Sequence, residues 1–268
     1  MNPYIDEDLS ALAEHARRFA TGRVAPGFLE RDKTRVLDRT LMREMGEMGF
    51  IAPELPEAFG GQGLGCLAAG VIHEEIARAD LSMSTPVYTL LTIGWSYIIN
   101  RYGTDELKQE VLPAVAAGKA FAGINTTEPG GGSDLSAIKT IAPWNEDKQA
   151  YILNGEKAYV SGPKECEKWG APSGHCTLVK TDPHQGHKGM TFIWVPAHLD
   201  GITYTTYKDM GRMGLSTGGW IYKDVELPKK YVLGEEGKGF YVNMDGFNAA
   251  RVLVAAACLG GAEKGLEI

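Results

Sequence analysis

Residues 121–134 read FAGINTTEPGGGSD, a short apolar run that ends in a loop only glycine permits. As a strand it sends Phe121, Gly123, Asn125 and Thr127 to one side and Ala122, Ile124 and Thr126 to the other. Pro129 has no N–H to donate, so the ladder stops there. Gly130, Gly131 and Gly132 allow positive φ and a close approach of backbone to something bulky. Ser133 and Asp134 add polar groups at the exit. Two readings stand at this point: a sharp turn between two strands, or the wall of a ligand site. Short glycine motifs arise often by chance, so the surrounding chain has to decide.

Before this stretch the sequence is helical. Residues 6–22 place Leu9, Leu12, Ala13, Ala16, Phe19 and Ala20 on one face, with Asp6, Glu7 and Asp8 suited to the N-terminus. Thr40 is read as the cap of a second helix, with Leu41, Met45 and Met48 inward and Gly49 at its end. Residues 51–65 (IAPELPEAFGGQGLG) form an irregular loop, long enough to suggest a purpose. Residues 66–80 give a third helix carrying His73, read as a surface or packing residue. Residues 84–102 are uncharged until Arg101, the mark of a buried helix. Asp105–Ala117 closes the block at Gly118.

After Ala120 the pattern changes to short alternating runs between turn residues. They include Ala150–Leu153 before Asn154-Gly155, Cys176–Thr181, Met190–Val195 and Ile221–Leu227. Asn-Gly between such runs predicts a hairpin, and the whole reads as an antiparallel β unit. Residues 240–262 return to helical spacing with Met244, Phe247, Arg251, Val254, Cys258 and Leu259. The expected architecture is therefore α+β: an N-terminal helical domain (1–120), a β domain with the ligand loops (121–235) and the first helix of a C-terminal helical bundle (236–268).

The 268 residues are 44% apolar and 23% charged, with a formal net charge of −7. That balance argues against nucleic acid or an anionic membrane as partner. Apolar runs such as Val252–Leu259 fall short of the roughly 20 residues a membrane span needs. Cys66, Cys166, Cys176 and Cys258 form no C-x-x-C pair and no metal-ligand cluster, and read as reduced thiols of a cytoplasmic protein.

Eight motifs then fall in one register: PELPEAFGGQGLG (53–65), EEIARADLS (74–82), YGTDELKQEVLPAVAAGK (102–119), TTEPGGGSD (126–134), LNGEKAYVSG (153–162), MGLSTGG (213–219), VELP (225–228) and GFNAAR (246–251). Together they resemble the acyl-CoA dehydrogenases, flavoproteins that desaturate acyl thioesters, across residues 5–268. The resemblance implies FAD as cofactor, held by Ile124, Thr126, Thr127, Gly132 and Ser133. The family's second flavin segment reads W-I-T; here it is Tyr159, Val160 and Ser161, which keeps an aromatic wall and a hydroxyl donor. Ser133 also faces the pantetheine arm.

The same resemblance places the acyl thioester against Val87, Leu90, Leu91, Phe247, Asn248 and Arg251. Asn248 stands where many members have Asp. Arg251 matches the family's arginine and is expected to be buried and structural. Thr85 stands where relatives that bind dicarboxylic thioesters carry arginine, so a neutral acyl group is expected. His187 and Lys188 are candidates to approach a CoA phosphate. Some members carry the catalytic glutamate at the position of Ala250, which holds no proton. The catalytic base is therefore expected beyond Ile268, and the polypeptide by itself is expected to be inactive. The implied partners are an acyl-CoA thioester and an electron-transfer flavoprotein, within a homotetramer. An oxidase or monooxygenase relative using oxygen, and a non-catalytic flavin- or thioester-binding fragment, are the alternatives.

Overall fold

Residues 5–268 are described by a computed structural model, and their first half is helical. The first helix, α1 (Glu7–Phe19), opens on Asp6, whose carboxylate accepts from the Leu9 N–H at 2.9 Å. A wider turn (Ala20–Val24) and a 3-10 turn carry the chain into α2 (Phe28–Thr34), a helix the sequence reading left out. The cap of α3 (Arg39–Glu47) is Asp38, not Thr40: its carboxylate accepts from the N–H groups of Thr40 and Leu41 at 2.8 and 3.2 Å. A cap needs extended backbone, which Asp38 has, whereas Thr40 already lies in the first turn. Gly49 ends the segment at φ 71°.

Next come α4 (Cys66–Ala79), α5 (Ser84–Tyr102) and α6 (Asp105–Ala116). Burial on nearly every face of α5 explains its lack of charge. His73 is fully buried on α4, its Nδ1 2.9 Å from the Thr89 hydroxyl, so it is a packing residue and not a surface one.

The strands are β1 (Ala122–Asn125), β2 (Trp144–Asn145), β3 (Ala150–Ser161), β4 (Gly174–Lys180), β5 (Met190–Pro196), β6 (Ile202–Thr206) and β7 (Thr217–Pro228). A short helix, α7 (Pro163–Trp169), separates β3 from β4. Two sheets result, ordered β1-β4-β5 and β2-β3-β7-β6. Every pairing is antiparallel except β1 with β4, whose long connection runs through the other sheet as a parallel neighbour requires. The Asn154-Gly155 hairpin does not form. β3 runs straight through it, and the pairing with β7 shifts register there. The reason lies at Gly155, where φ is +139° and a Cβ would stand 2.7 Å from the Cα of Thr140. Glycine is present for close approach, not for a turn.

The final helix, α8 (Gly239–Glu267), lies against α4 and α5. Its inner face is mostly small, with Gly246, Ala250, Ala257 and Gly260 at the close approaches and Leu253 packing on Ala69 and Ile93. Val254 and Leu259, read as inward from their spacing, are exposed, because the backbone approaches α4 and α5 too closely for large residues. One hydrophobic core runs from Leu41, Met45 and Trp95 of the helices to Phe121, Trp194 and Leu227 of the sheets. Among the described residues no helix is long and apolar enough to cross a membrane.

Candidate active site

The glycine-rich loop leaves β1 at the boundary between helices and sheets. Glu128 and Gly131 exchange both backbone hydrogen bonds at 3.0 Å, closing a tight turn over Pro129 and Gly130. Gly132 packs on Thr127, where a Cβ would stand 3.0 Å from the threonine methyl. Asp134 then folds back on Ser136 and accepts from its N–H at 2.9 Å.

This loop forms one wall of a cleft of about 630 Å³. Thr126, Thr127, Gly132 and Ser133 line it from the loop, with Phe247 and Arg251 opposite on α8. Six of the residues singled out from the sequence thus share one space. Six residues that line it were not singled out as site residues: Asp134, Leu135 and Ser136 at and after the loop's exit, and Phe240, Tyr241 and Met244 on α8. Part of the signal was legible. Phe240, Met244, Phe247 and Arg251 recur at helical spacing, and that stripe lines the cleft, with Phe240 and Phe247 packing against the core at its edge. His187 also lines the cleft, its ring 6.2 Å from that of Phe240, while Lys188 does not line it.

The second expected segment lies on the same ridge. The Ala158 N–H donates to the Thr127 carbonyl at 2.9 Å, joining β3 to the loop one residue before Tyr159. Tyr159 sits at a bulge with φ 58°, an unusual conformation for an aromatic residue. Its side chain is 71% exposed, and its ring meets that of Tyr207 at 5.5 Å. Val160 is buried and pairs with Gly218. Ser161 pairs with Thr217, and its carbonyl accepts from His175 Nε2 at 2.9 Å. Ile124 is half-buried in the ladder opposite Cys176. None of Ile124, Tyr159, Val160 or Ser161 lines the cleft itself.

The α5 residues also stand apart from it. Leu91 is core, Val87 packs on the core, and Leu90 meets Ala69, Ile93 and Leu253. Ala250 fills the gap to Gly94, where a Cβ on the glycine would lie 3.3 Å from its own. Asn248 is exposed and outside the cleft, accepting from Arg251 Nη1 at 3.0 Å. Arg251 is itself exposed, over the ring of Phe247 at 5.9 Å, and not buried as expected. Three and four residues along the outer face of a helix provide those neighbours without burial.

Electrostatics limit what the cleft does alone. Among the described residues Asp134 is the one carboxylate on its wall. The Ser136 hydroxyl, and then its N–H, hold that carboxylate below its usual range. A base held low by its own donors accepts protons poorly. Among the described residues no group of three His, Cys, Asp or Glu side chains is placed to hold a metal.

The family model for the acyl-CoA dehydrogenase N-terminal domain matches residues 6–119, and that for the middle domain matches residues 123–225. A Clostridium sporogenes protein named 3-(aryl)acrylate reductase is 32% identical over 98% of this chain and 68% of its own length. The chain belongs to the acyl-CoA dehydrogenase family. The mitochondrial isobutyryl-CoA dehydrogenase of Dictyostelium discoideum is 32% identical over 97% of this chain. The chain spans 60% of that relative's length. The solved butyryl-CoA dehydrogenase of Megasphaera elsdenii superposes with a TM-score of 0.90 at 28% identity, covering 100% of this chain and 69% of its own. The family's N-terminal helices and middle sheets are thus both present here, and the glycine-rich loop stands where they meet.

Proposed function

We propose that this protein takes part in FAD-dependent α,β-dehydrogenation of an acyl-CoA thioester with a neutral acyl group, its electrons passing to an electron-transfer flavoprotein. The observation that carries the reading is the bond from Ala158 N–H to the Thr127 carbonyl, which joins the two segments expected to hold a flavin into one ridge.

The residues fit such a group. An exposed aromatic ring held at positive φ costs stability unless something covers it, and Tyr159 is such a ring. The Thr126 and Thr127 side chains on the cleft wall offer hydrogen-bonding groups, and Ser161, two residues after Tyr159, would add a hydroxyl. A bound flavin supplies a two-electron acceptor for the β-hydrogen. What the chain contributes is orientation: Tyr159 gives a flat wall, the loop 126–133 a close backbone, and Ser133, Phe247 and Arg251 a channel for the thioester arm. On this reading no described residue of the cleft wall serves as the proton-accepting base, because Asp134 is held low by Ser136 and Ala250 carries no acid. We also propose the division at 120 and 235, a cytoplasmic setting and a homotetramer whose contacts use the exposed Val252, Val254 and Leu259.

The relative named as a reductase supports a second reading, in which the same carbon–carbon bond is reduced. Both are tested on the complete gene product. A flavin absorbance that bleaches anaerobically with acyl-CoA thioesters, and recovers with electron-transfer flavoprotein faster than with air, is the expected outcome. Reoxidation by air with release of peroxide would make the protein an oxidase, and a colourless preparation that takes up no FAD removes the proposal.

A further inference from the structure

One buried carboxylate closes the whole glycine-rich segment. Glu128 accepts from four donors: Lys139 N–H at 2.7 Å, Thr140 N–H at 3.0 Å, the Thr140 hydroxyl at 2.6 Å and Lys157 Nζ at 2.9 Å. Lys157 is 1% exposed, and its ammonium also reaches the Thr126 carbonyl at 3.4 Å. The next residue, Ala158, ties down the Thr127 carbonyl. Both ends of the segment 128–140 therefore meet at one ion pair, and the segment between them carries Gly132, Ser133 and Ser136 to the cleft. Gly155 completes the arrangement, since only the absence of a Cβ there leaves room for Thr140.

We propose that Glu128 and Lys157 are positioning residues, a buried latch that holds the 129–136 loop in the shape that receives cofactor and thioester. The assignment to cofactor and thioester rests on the function proposed above; the ordering of the loop does not. Neither side chain lines the cleft, so the pair acts through the loop and not by contact. A charged pair suits this task better than apolar packing. A carboxylate with four donors has a fixed direction, and a backbone loop without side chains offers little else to hold. Burial lowers the Lys157 ammonium to about 8, and Glu128 opposes that shift. Burial raises the Glu128 carboxyl, but Lys157, Thr140 and Lys139 together outweigh it and leave it below its usual range. At neutral pH both partners are therefore charged.

The test compares Lys157→Met, Lys157→Arg and Thr140→Val with Leu112→Ala, a buried control on α6, all in the complete gene product. Amide exchange of residues 129–136 and the rate of FAD release into apoprotein-trapping buffer are read at matched thermal stability. The expected result is at least 10-fold faster exchange and release for Lys157→Met, a smaller rise for Thr140→Val, partial rescue by Lys157→Arg, and no change in the control. Unchanged loop exchange in both Lys157→Met and Thr140→Val overturns the latch, as does equal acceleration in Leu112→Ala. Should Lys157→Met not fold, Thr140→Val, which keeps every backbone donor and both charges, decides alone. If the parent protein binds no FAD, the functional reading fails, and the exchange comparison still decides the latch.

Discussion

Gly246 of α8 rests on the indole of Trp95 in α5, where a Cβ would stand 2.8 Å from Cη2 and overlap the ring further at Cζ3. The same indole meets Phe247 edge-on at 5.7 Å and Phe192 at 6.0 Å. One glycine thus sets both how closely α8 docks and where Phe247 enters the cleft. Gly246→Ala is expected to cost about 1–3 kcal/mol by overpacking, read from the denaturant midpoint. It is also expected to weaken thioester binding, as Phe247 is pushed from its place. A midpoint within a few tenths of a kcal/mol of the parent would contradict this.

Gly155→Ala should also destabilise, by about 1–3 kcal/mol, for two reasons that add. The φ of +139° disfavours a side chain, and the new Cβ meets Thr140. Chemical unfolding of the variant against the parent measures the loss. If Gly155 served only a turn, Asn at this position would be tolerated; Gly155→Asn should instead be as damaging as alanine.

Tyr159 separates stability from function. At 71% exposure and φ 58° it contributes little to packing and carries backbone strain. Tyr159→Gly should leave the thermal midpoint unchanged or raise it slightly, the strain relieved being about 1 kcal/mol. The same variant should hold flavin at least tenfold more weakly, as seen by equilibrium titration of apoprotein with FAD. Loss of stability without loss of flavin affinity would show the residue to be structural.

Two desolvated groups, one half-buried and one fully buried, set opposite pH slopes. Burial raises the Glu54 carboxyl to about 7; the Ser96 hydroxyl donates to one of its oxygens at 3.1 Å and the other has no partner. Its folded pKa lies above its unfolded one, so the native state holds the extra proton. The stability this confers is full below pH 4.5 and is lost as pH rises towards 7, on the order of 3 kcal/mol. Glu54→Gln should flatten the curve of stability against pH between those values, and an unchanged curve would sink the assignment. Burial lowers His73 to about 3. There the native state holds less proton than the unfolded chain, so stability falls as pH drops below about 6.5. A buried replacement that does not titrate, His73→Gln, should remove that acid limb from urea unfolding between pH 6.5 and pH 4.

The sequence by itself determined the order of helical and sheet blocks, because periodicity and turn chemistry are local, while the short helices α2 and α7 were not legible in it. It also determined the family register of the flavin-type loop, since eight short motifs fall in order. α5 shows this most directly: its uncharged run required burial, and the helix spans Ser84–Tyr102 as read. Three matters were decided only by tertiary structure. Asn154-Gly155 carries the composition of a hairpin, but Thr140 comes from outside the local window and takes the space a side chain would fill. The inward face of α8 was misread because hydrophobicity favours large residues, while helices that touch backbone to backbone need small ones, and so Gly246, Ala250 and Gly260 face in. Lys157 and Glu128 look in sequence like two ordinary surface charges. Burial turns them into partners across 29 positions, and no local pattern records that the loop between them hangs on that pair.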